Sequence, residues 1–119
     1  MNKPDGRSTA SKYPVWDRDD ALEILAGDLD FALLQLEKLK ALLPGNLDEL
    51  QRSLHANDLS PLHQEAHALK GNAASIGAKA LAYAAKELDD SATADDKEQA
   101  ALDLEAVEVE MRRLREFTP

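Results

Sequence analysis

The chain of 119 residues contains no cysteine, few aromatic residues and no long hydrophobic run. The absence of cysteine excludes disulfide bonds, thiolate metal sites and a cysteine nucleophile. Aromatic residues make up only 4% of the chain, which argues against the stacking platforms that bind single-stranded nucleic acid. No apolar run approaches the roughly 20 residues that a membrane-spanning helix needs.

Positive charge is scarce as well, because 14 lysines and arginines stand against 23 acidic residues and give a net charge of −9. Such a chain repels the phosphate backbone of nucleic acids and anionic lipid, so neither nucleic acid nor membrane is an expected partner. The length suits one domain. Residues 1–13 are polar and contain Pro4 and Gly6, which predicts a flexible leader or linker rather than a secretory signal. We expect a single domain over residues 14–119, monomeric and cytoplasmic.

The apolar residues recur every three or four positions, as in Leu29, Leu33 and Leu36, and no alternating segment rich in β-branched residues occurs. This spacing predicts an all-α protein. Capping residues (Asp17, Asp28 and Ser60 among them) and breaking residues place the helices at about 17–26, 28–43, 47–56, 60–76, 78–91 and 95–117, with a break or kink at Pro44. Short connections favour antiparallel neighbours, so the prediction is an antiparallel four-helix bundle with one or two short N-terminal helices.

The helix that begins near Ser60-Pro61 has an unusual outer face. At about 100° per residue, Leu62, Leu69 and Ala73 lie on one side and predict the core, which turns His67 towards solvent. Between Leu59 and Ala80 the charges sum to +1, so the rest of the chain carries −10. A nearly neutral, small-residue face on an acidic protein predicts a docking surface. Its candidate residues are Ser60, His63, Gln64, Ala68, Ala74, Ser75 and Ala78.

Two neighbours of His67 indicate chemistry as well as docking. Gly71 lies one turn later, where a glycine costs a helix roughly 1 kcal/mol relative to alanine but leaves the imidazole uncrowded. Lys70 places an ammonium within reach of whatever the ring carries. A nucleophilic ring, open access and a nearby cation are what a phosphoryl acceptor needs, because phosphoryl transfer depends on positioning and on neutralising the oxygens.

At these residues the chain resembles a known family. The run from His67 to Gly71 (sequence HALKG), followed by Ile76-Gly77-Ala78 and Leu81, is similar to the signature of histidine-containing phosphotransfer (HPt) domains of bacterial multistep phosphorelays. The run 13–17 (YPVWD), with the residues that follow it, resembles the entry into HPt domains at the C-termini of tripartite hybrid sensor kinases. Whether the chain stands alone or belongs to such a kinase is open.

The resemblance implies roles for individual residues. His67 would be phosphorylated at Nε2, Lys70 would neutralise the phosphate and Gly71 would give access. Several members of the family carry a glutamine 22 positions after the histidine that hydrogen-bonds the imidazole. Asp89 stands there in this chain, shorter and charged, and the sequence leaves open whether it makes the contact. The implied partners are receiver domains of response regulators or of a hybrid kinase, which would supply Mg²⁺, so no cofactor of this chain is expected.

Two other interpretations remain open at this point. A non-catalytic helical adaptor could use the neutral face around His67 for binding without chemistry. A metal-binding bundle is a second alternative, since His63 and His67 are four residues apart, but Gln64 stands where a zinc protease needs glutamate. No metal ligand is therefore predicted. The chain also lacks a glycine-rich loop of the P-loop or kinase kind, so no ATP site of its own is expected.

Overall fold

The computed structural model describes residues 6–119, and within this range the chain forms five α-helices and no strand. The helices are α1 (Arg18–Ile24), α2 (Leu29–Leu54), α3 (Ser60–Ala74), α4 (Lys79–Thr93) and α5 (Lys97–Glu116), preceded by a 3₁₀ turn at Ala10–Lys12. The predicted all-α fold is confirmed. None of the helices in the described range is long and apolar enough to cross a membrane.

Four of the helices form the bundle. Contacts join α2 to α3, α3 to α4, α4 to α5 and α5 back to α2, while the short helix α1 lies against α2. The connections between the four are three to five residues long, which reverses the chain direction at each step. Large aliphatic side chains from every bundle helix fill the interior, among them Leu43, Leu62, Leu88 and Leu114, each fully buried. The bundle with one short N-terminal helix agrees with the prediction.

The predicted break at Pro44 is wrong. The structure has one helix of 26 residues from Leu29 to Leu54, with the proline inside it. A proline removes one backbone hydrogen bond and crowds the preceding turn. Here the buried residues Leu36, Leu43 and Leu50 recur at sevens on both sides of the proline and face the same core. Their burial keeps the two halves in one helical register, which local propensity alone does not predict.

Aspartate side chains cap the N-termini of α1, α2 and α5. Asp17 accepts a hydrogen bond from the Asp20 backbone N–H at 3.0 Å, and Asp28 accepts one from the Phe31 N–H at 3.0 Å. The predicted caps at these two positions are therefore confirmed. The predicted cap of α3 is displaced by one residue, because Ser60 already lies in the helix and Asp58 accepts its N–H at 2.9 Å.

Residues 8–16 pack on the bundle instead of extending into solvent. Ala10 is buried, Tyr13 stacks on Tyr83 of α4 at 4.6 Å between ring centroids, and the Trp16 Nε1–H donates to the Ile76 carbonyl at 2.7 Å. This part of the predicted leader is therefore folded against α4 and α5. Residues 1–5 of the predicted leader lie outside the described residues.

Gly77 forms the turn that connects α3 to α4. Its φ is +80°, and a Cβ at this position would stand 2.6 Å from the Asp17 carbonyl oxygen. The Gly77 carbonyl in turn accepts the Asp17 N–H at 2.8 Å. Only glycine combines this backbone conformation with so close an approach of the segment that precedes α1. The turn thereby fixes how α4 returns alongside α3.

Candidate functional site

Helix α3 buries one side and exposes the other as its sequence predicts. Leu62, Ala66, Leu69 and Ala73 are buried, whereas the His67 side chain is 63% exposed. The periodicity of the apolar residues sets this orientation, since the ring projects from the side opposite the buried stripe. His67 therefore lies on the surface of the packed α3–α4 pair.

Gly71 opens the surface next to His67. Apart from the local backbone of α3, a Cβ at Gly71 would meet no atom of the described residues within 4 Å, and the residue is exposed. Packing among residues 6–119 therefore gives no reason for a glycine at this position, in contrast to Gly77. The space that a side chain would occupy is free for a group that approaches His67 from outside.

Asp89 of α4 reaches across to α3 and contacts two histidines. Its Oδ2 lies 3.0 Å from the His67 Nδ1, and its Oδ1 hydrogen-bonds the His63 Nδ1. The side chain of Asp89 is only 9% exposed, so the carboxylate forms the floor of the site beneath the two rings. The imidazole contact that the sequence left open is present in the structure.

The electrostatics favour an ionised Asp89. Burial acts to raise the pKa of its carboxyl, but hydrogen bonds from His67 and His63 act in the opposite direction and leave the pKa below its usual value. An ionised carboxylate is only an acceptor, so the hydrogen on the His67 Nδ1 is donated to Asp89. The Nε2 of the neutral ring then carries the lone pair, on the side of the imidazole away from Asp89.

The two lysines near this end of the bundle have different partners. The Lys70 Nζ lies 3.9 Å from Asp89 Oδ2, beyond hydrogen-bond distance, with its side chain 33% exposed. The Lys79 Nζ forms an ion pair with Asp17 at 3.0 Å, and this hydrogen bond raises the pKa of Lys79. Lys70 is therefore held loosely beside His67, whereas Lys79 is tied to the start of α1.

The predicted docking residues separate into two groups. Five of them are exposed on or next to α3, and His63 is partly exposed; the exposed five are Ser60, Gln64, Ala68, Ala74 and Ser75. Ala78 is fully buried, so its place on a docking surface is wrong. The prediction continued the helical rotation past Ser75, but α3 ends there and Gly77 reverses the chain.

One feature of the site was not predicted from the sequence. His63 was considered as a docking residue and as half of a metal pair, but its Nδ1 instead contacts Asp89 and lies 2.9 Å from the Thr93 Oγ1. The spacing of four between the histidines indicated a shared face, yet nothing in the sequence shows that α4 presents one carboxylate to both. Within residues 6–119 no group of three or more histidine, aspartate or glutamate side chains is arranged to hold a metal ion.

Comparison with known protein families gives a match for this chain. A family model described as Hpt domain matches residues 34–117, which includes α3, α4, α5 and most of α2. Searches among curated proteins and among solved structures gave no match. The match covers both helices that carry the histidines and Asp89.

Proposed function

The chain belongs to the Hpt domain family, whose members act in histidine phosphotransfer and interact with receiver domains, and on this premise we propose that His67 is its phosphoryl carrier. It accepts the group from an aspartyl phosphate on one receiver domain and passes it to an aspartate on another. The observation that supports this most directly is the hydrogen bond from the His67 Nδ1 to Asp89, on a ring whose other nitrogen faces outward.

The proposed step needs a nitrogen lone pair at the surface. The Nε2 lone pair of His67 forms a bond to phosphorus while the bond from phosphorus to the donor aspartate's oxygen breaks. The electron pair of that bond remains with the donor carboxylate, and the Nδ1 proton stays on the ring, donated to Asp89. The transfer to the next receiver is the same step in reverse, with a new aspartate as acceptor.

Asp89 contributes to this step through its charge. Because His67 keeps its Nδ1 proton, the imidazole gains positive charge as the bond to phosphorus forms. The ionised Asp89 at 3.0 Å stabilises that charge. A glutamine could accept the same hydrogen bond without the charge, so aspartate strengthens the electrostatic part of the contact. The positively charged, phosphorylated ring is also the better donor for the second transfer.

Lys70 and Gly71 act on the incoming group. A phosphoryl group on histidine carries close to two negative charges at neutral pH. The contact between the Lys70 Nζ and Asp89 is weak at 3.9 Å. The Lys70 side chain can therefore turn from Asp89 towards the phosphoryl group. Gly71 leaves the approach open. The receiver would supply Mg²⁺ and the reacting carboxylate, and it would dock on the small, exposed residues around His67.

The test is transfer from a panel of phosphorylated receiver domains to the chain, followed as an acid-labile, base-stable label. We expect His67→Gln to abolish labelling and to leave helical circular dichroism and the melting temperature nearly unchanged, because the ring is mostly exposed. His55→Gln is the matched control, as His55 is also exposed but lies at the end of α2. Labelling that persists in His67→Gln would refute the proposal.

The same panel tests the adaptor alternative. An adaptor would bind a receiver through the face around His67 and remain unlabelled. Its His67→Gln variant would bind the receiver as tightly as the parent does. A phosphoryl carrier becomes labelled and loses the label again when a second, unphosphorylated receiver is added. Adding a phosphorylated receiver and then a second, unphosphorylated receiver therefore distinguishes the two functions.

A further inference from the structure

Asp89 is the centre of a hydrogen-bond network that contains a residue without a role in the proposed reaction. We propose that His63 is a positioning residue: by holding one oxygen of Asp89, it directs the other oxygen to the Nδ1 of His67. This inference rests on the function proposed for His67, because it concerns how that ring is kept ready for attack.

The geometry assigns one carboxylate oxygen to each histidine. His63 contacts Oδ1 and His67 contacts Oδ2 of the same group, and the two ring centroids are 6.2 Å apart. The final torsion of an aspartate is broad, so a carboxylate held at one oxygen alone rotates readily. With the second oxygen held by His63, rotation would break two hydrogen bonds. His63 thereby fixes the orientation of the Asp89 carboxylate through the oxygen that does not contact His67.

Thr93 makes this arrangement depend on where the His63 proton lies. Its Oγ1 lies 2.9 Å from the same His63 Nδ1 that contacts Asp89. When Nδ1 carries a hydrogen, it donates to the carboxylate. When the hydrogen is on Nε2, the bare Nδ1 can only accept, so it turns to the Thr93 hydroxyl and repels Asp89. The proton on the His63 Nδ1 therefore sustains the contact between Asp89 and His67.

The charges around His63 favour the form with a hydrogen on Nδ1. From α4 it faces Asp89 and Thr93, and the cleft beside it is also lined by Asp58 before α3 and Asp95 after α4. On its own helix its neighbour in the network is His67. Of these carboxylates, Asp89 is the one that the ring contacts, and a negative neighbour stabilises a hydrogen that points towards it.

A set of three substitutions at residue 63 separates positioning from simple packing. His63→Asn places an amide nitrogen close to where the Nδ1 lies, so it can still donate to Asp89. His63→Gln carries its amide nitrogen one bond further out, near the position of Nε2, and His63→Ala has no donor. We expect the contact with Asp89 to survive in the asparagine variant and to be lost in the other two.

The first measurement is the imidazole nitrogen spectrum of the isotopically labelled, unphosphorylated chain, which reports the tautomer of His67 without any transfer. The parent and His63→Asn should show His67 with its hydrogen on Nδ1, whereas His63→Ala and His63→Gln should show a mixture of tautomers. The second measurement is the rate of phosphotransfer from a receiver, which should fall about threefold to tenfold in those two variants, as expected for one weakened hydrogen bond.

The outcomes distinguish this inference from the function on which it rests. If no receiver labels the parent, the proposed function fails, and the spectrum alone then decides whether His63 orients the ring. If the parent is labelled but His63→Ala keeps the parental tautomer or the parental rate, the positioning role is wrong and the function stands. Equal defects in the asparagine and alanine variants would also overturn it, because only packing would then explain the effect.

Discussion

Helix α4 has carboxylates on two sides, and their surroundings differ. On the side facing α3, Asp89 lies under two imidazoles and a lysine at an open surface. On the side facing the N-terminal segment, the Ser8 hydroxyl hydrogen-bonds Glu87, which is 3% exposed. The first carboxylate is within reach of an incoming molecule, whereas the second is covered by the chain's own residues.

Helix α5 continues the covered side. Glu110 is 2% exposed, accepts the Ser11 hydroxyl at 2.7 Å and pairs with Arg113 at 2.7 Å. Asp103 is 1% exposed and accepts a hydrogen bond from Gln99 at 2.9 Å. The hydrogen bonds of Ser8 with Glu87 and of Ser11 with Glu110 hold residues 8–11 against α4 and α5, so these two covered carboxylates fasten the segment before α1 to the bundle.

On the function proposed for His67, the difference predicts that stability and phosphotransfer depend on separate parts of the molecule. Changes on the open side should alter phosphotransfer and leave the free energy of unfolding nearly constant. Changes on the covered side should lower the free energy of unfolding and leave phosphotransfer by the folded protein nearly constant. The two glycines that flank the end of α3 allow the sharpest comparison, because Gly71 belongs to the open side and Gly77 is enclosed.

The largest effects are expected at these glycines. Gly71→Leu should stabilise the fold by about 1 kcal/mol, since a good helix former replaces glycine in a helix with free space around it. The same variant should slow phosphotransfer about a hundredfold, because the new side chain obstructs the approach to His67. Urea unfolding and the rate of labelling by a receiver measure the two effects.

Gly77→Ala is the counterpart. Its positive φ and the 2.6 Å approach of a Cβ to the Asp17 carbonyl predict a loss of about 2–4 kcal/mol of unfolding free energy. Because His67, Lys70 and Gly71 all lie on α3 before this turn, transfer by the folded fraction should fall far less than the hundredfold expected for Gly71→Leu. A Gly71→Leu variant that transfers normally would mean that Gly71 does not provide access, and a stable Gly77→Ala would mean that the turn is not as constrained as its backbone indicates.

The next effect concerns the covered side. Glu110→Ala removes the acceptor for Ser11 and for Arg113 and should lower the unfolding free energy by about 2–3 kcal/mol, since both hydrogen bonds involve a charged group. Transfer by the folded protein should not change. Glu105→Ala is the control on the same helix, because Glu105 is exposed and its loss should cost less than about 0.5 kcal/mol. A transfer defect in Glu110→Ala would show that the two sides are coupled.

The third effect distinguishes the two lysines. Lys70→Ala should slow transfer and shorten the phosphohistidine lifetime by roughly tenfold, the size expected for a partly exposed ion pair of about 1 kcal/mol or somewhat more. Added salt should narrow the gap between variant and parent. Lys79→Ala should leave the lifetime unchanged, since Lys79 is paired with Asp17. Equal effects of both substitutions would indicate long-range charge steering instead of a local phosphate contact.

The sequence predicted the open side better than the covered side. His67, Lys70 and Gly71 follow one another on one helix, so helical rotation alone places them together. The hydrogen bond from His63 to Asp89 joins two helices, and the register between them depends on the turn at Gly77, which spacing along the chain does not reveal. The packing of residues 8–13 was missed for the same reason, because a short polar segment gains its partners only from the assembled bundle. Pro44 was misjudged because the buried leucines around it outweigh its local preference.

The smallest effect is a pH dependence at the start of α1. The Asp20 backbone N–H, followed by Lys79, lowers the pKa of the Asp17 carboxyl, and Asp17 in turn raises the pKa of Lys79. A lowered folded-state pKa stabilises the protein above the ordinary carboxyl pKa, and this contribution is lost as the pH falls through the lowered value. Asp17→Ala should therefore be less stable than the parent near pH 6, and the difference should shrink by about pH 3. Urea unfolding of both proteins at the two pH values measures the change, with transfer assayed at neutral pH as the control. A difference in unfolding free energy that stays constant across this range would show that Asp17 does not stabilise α1 through its charge.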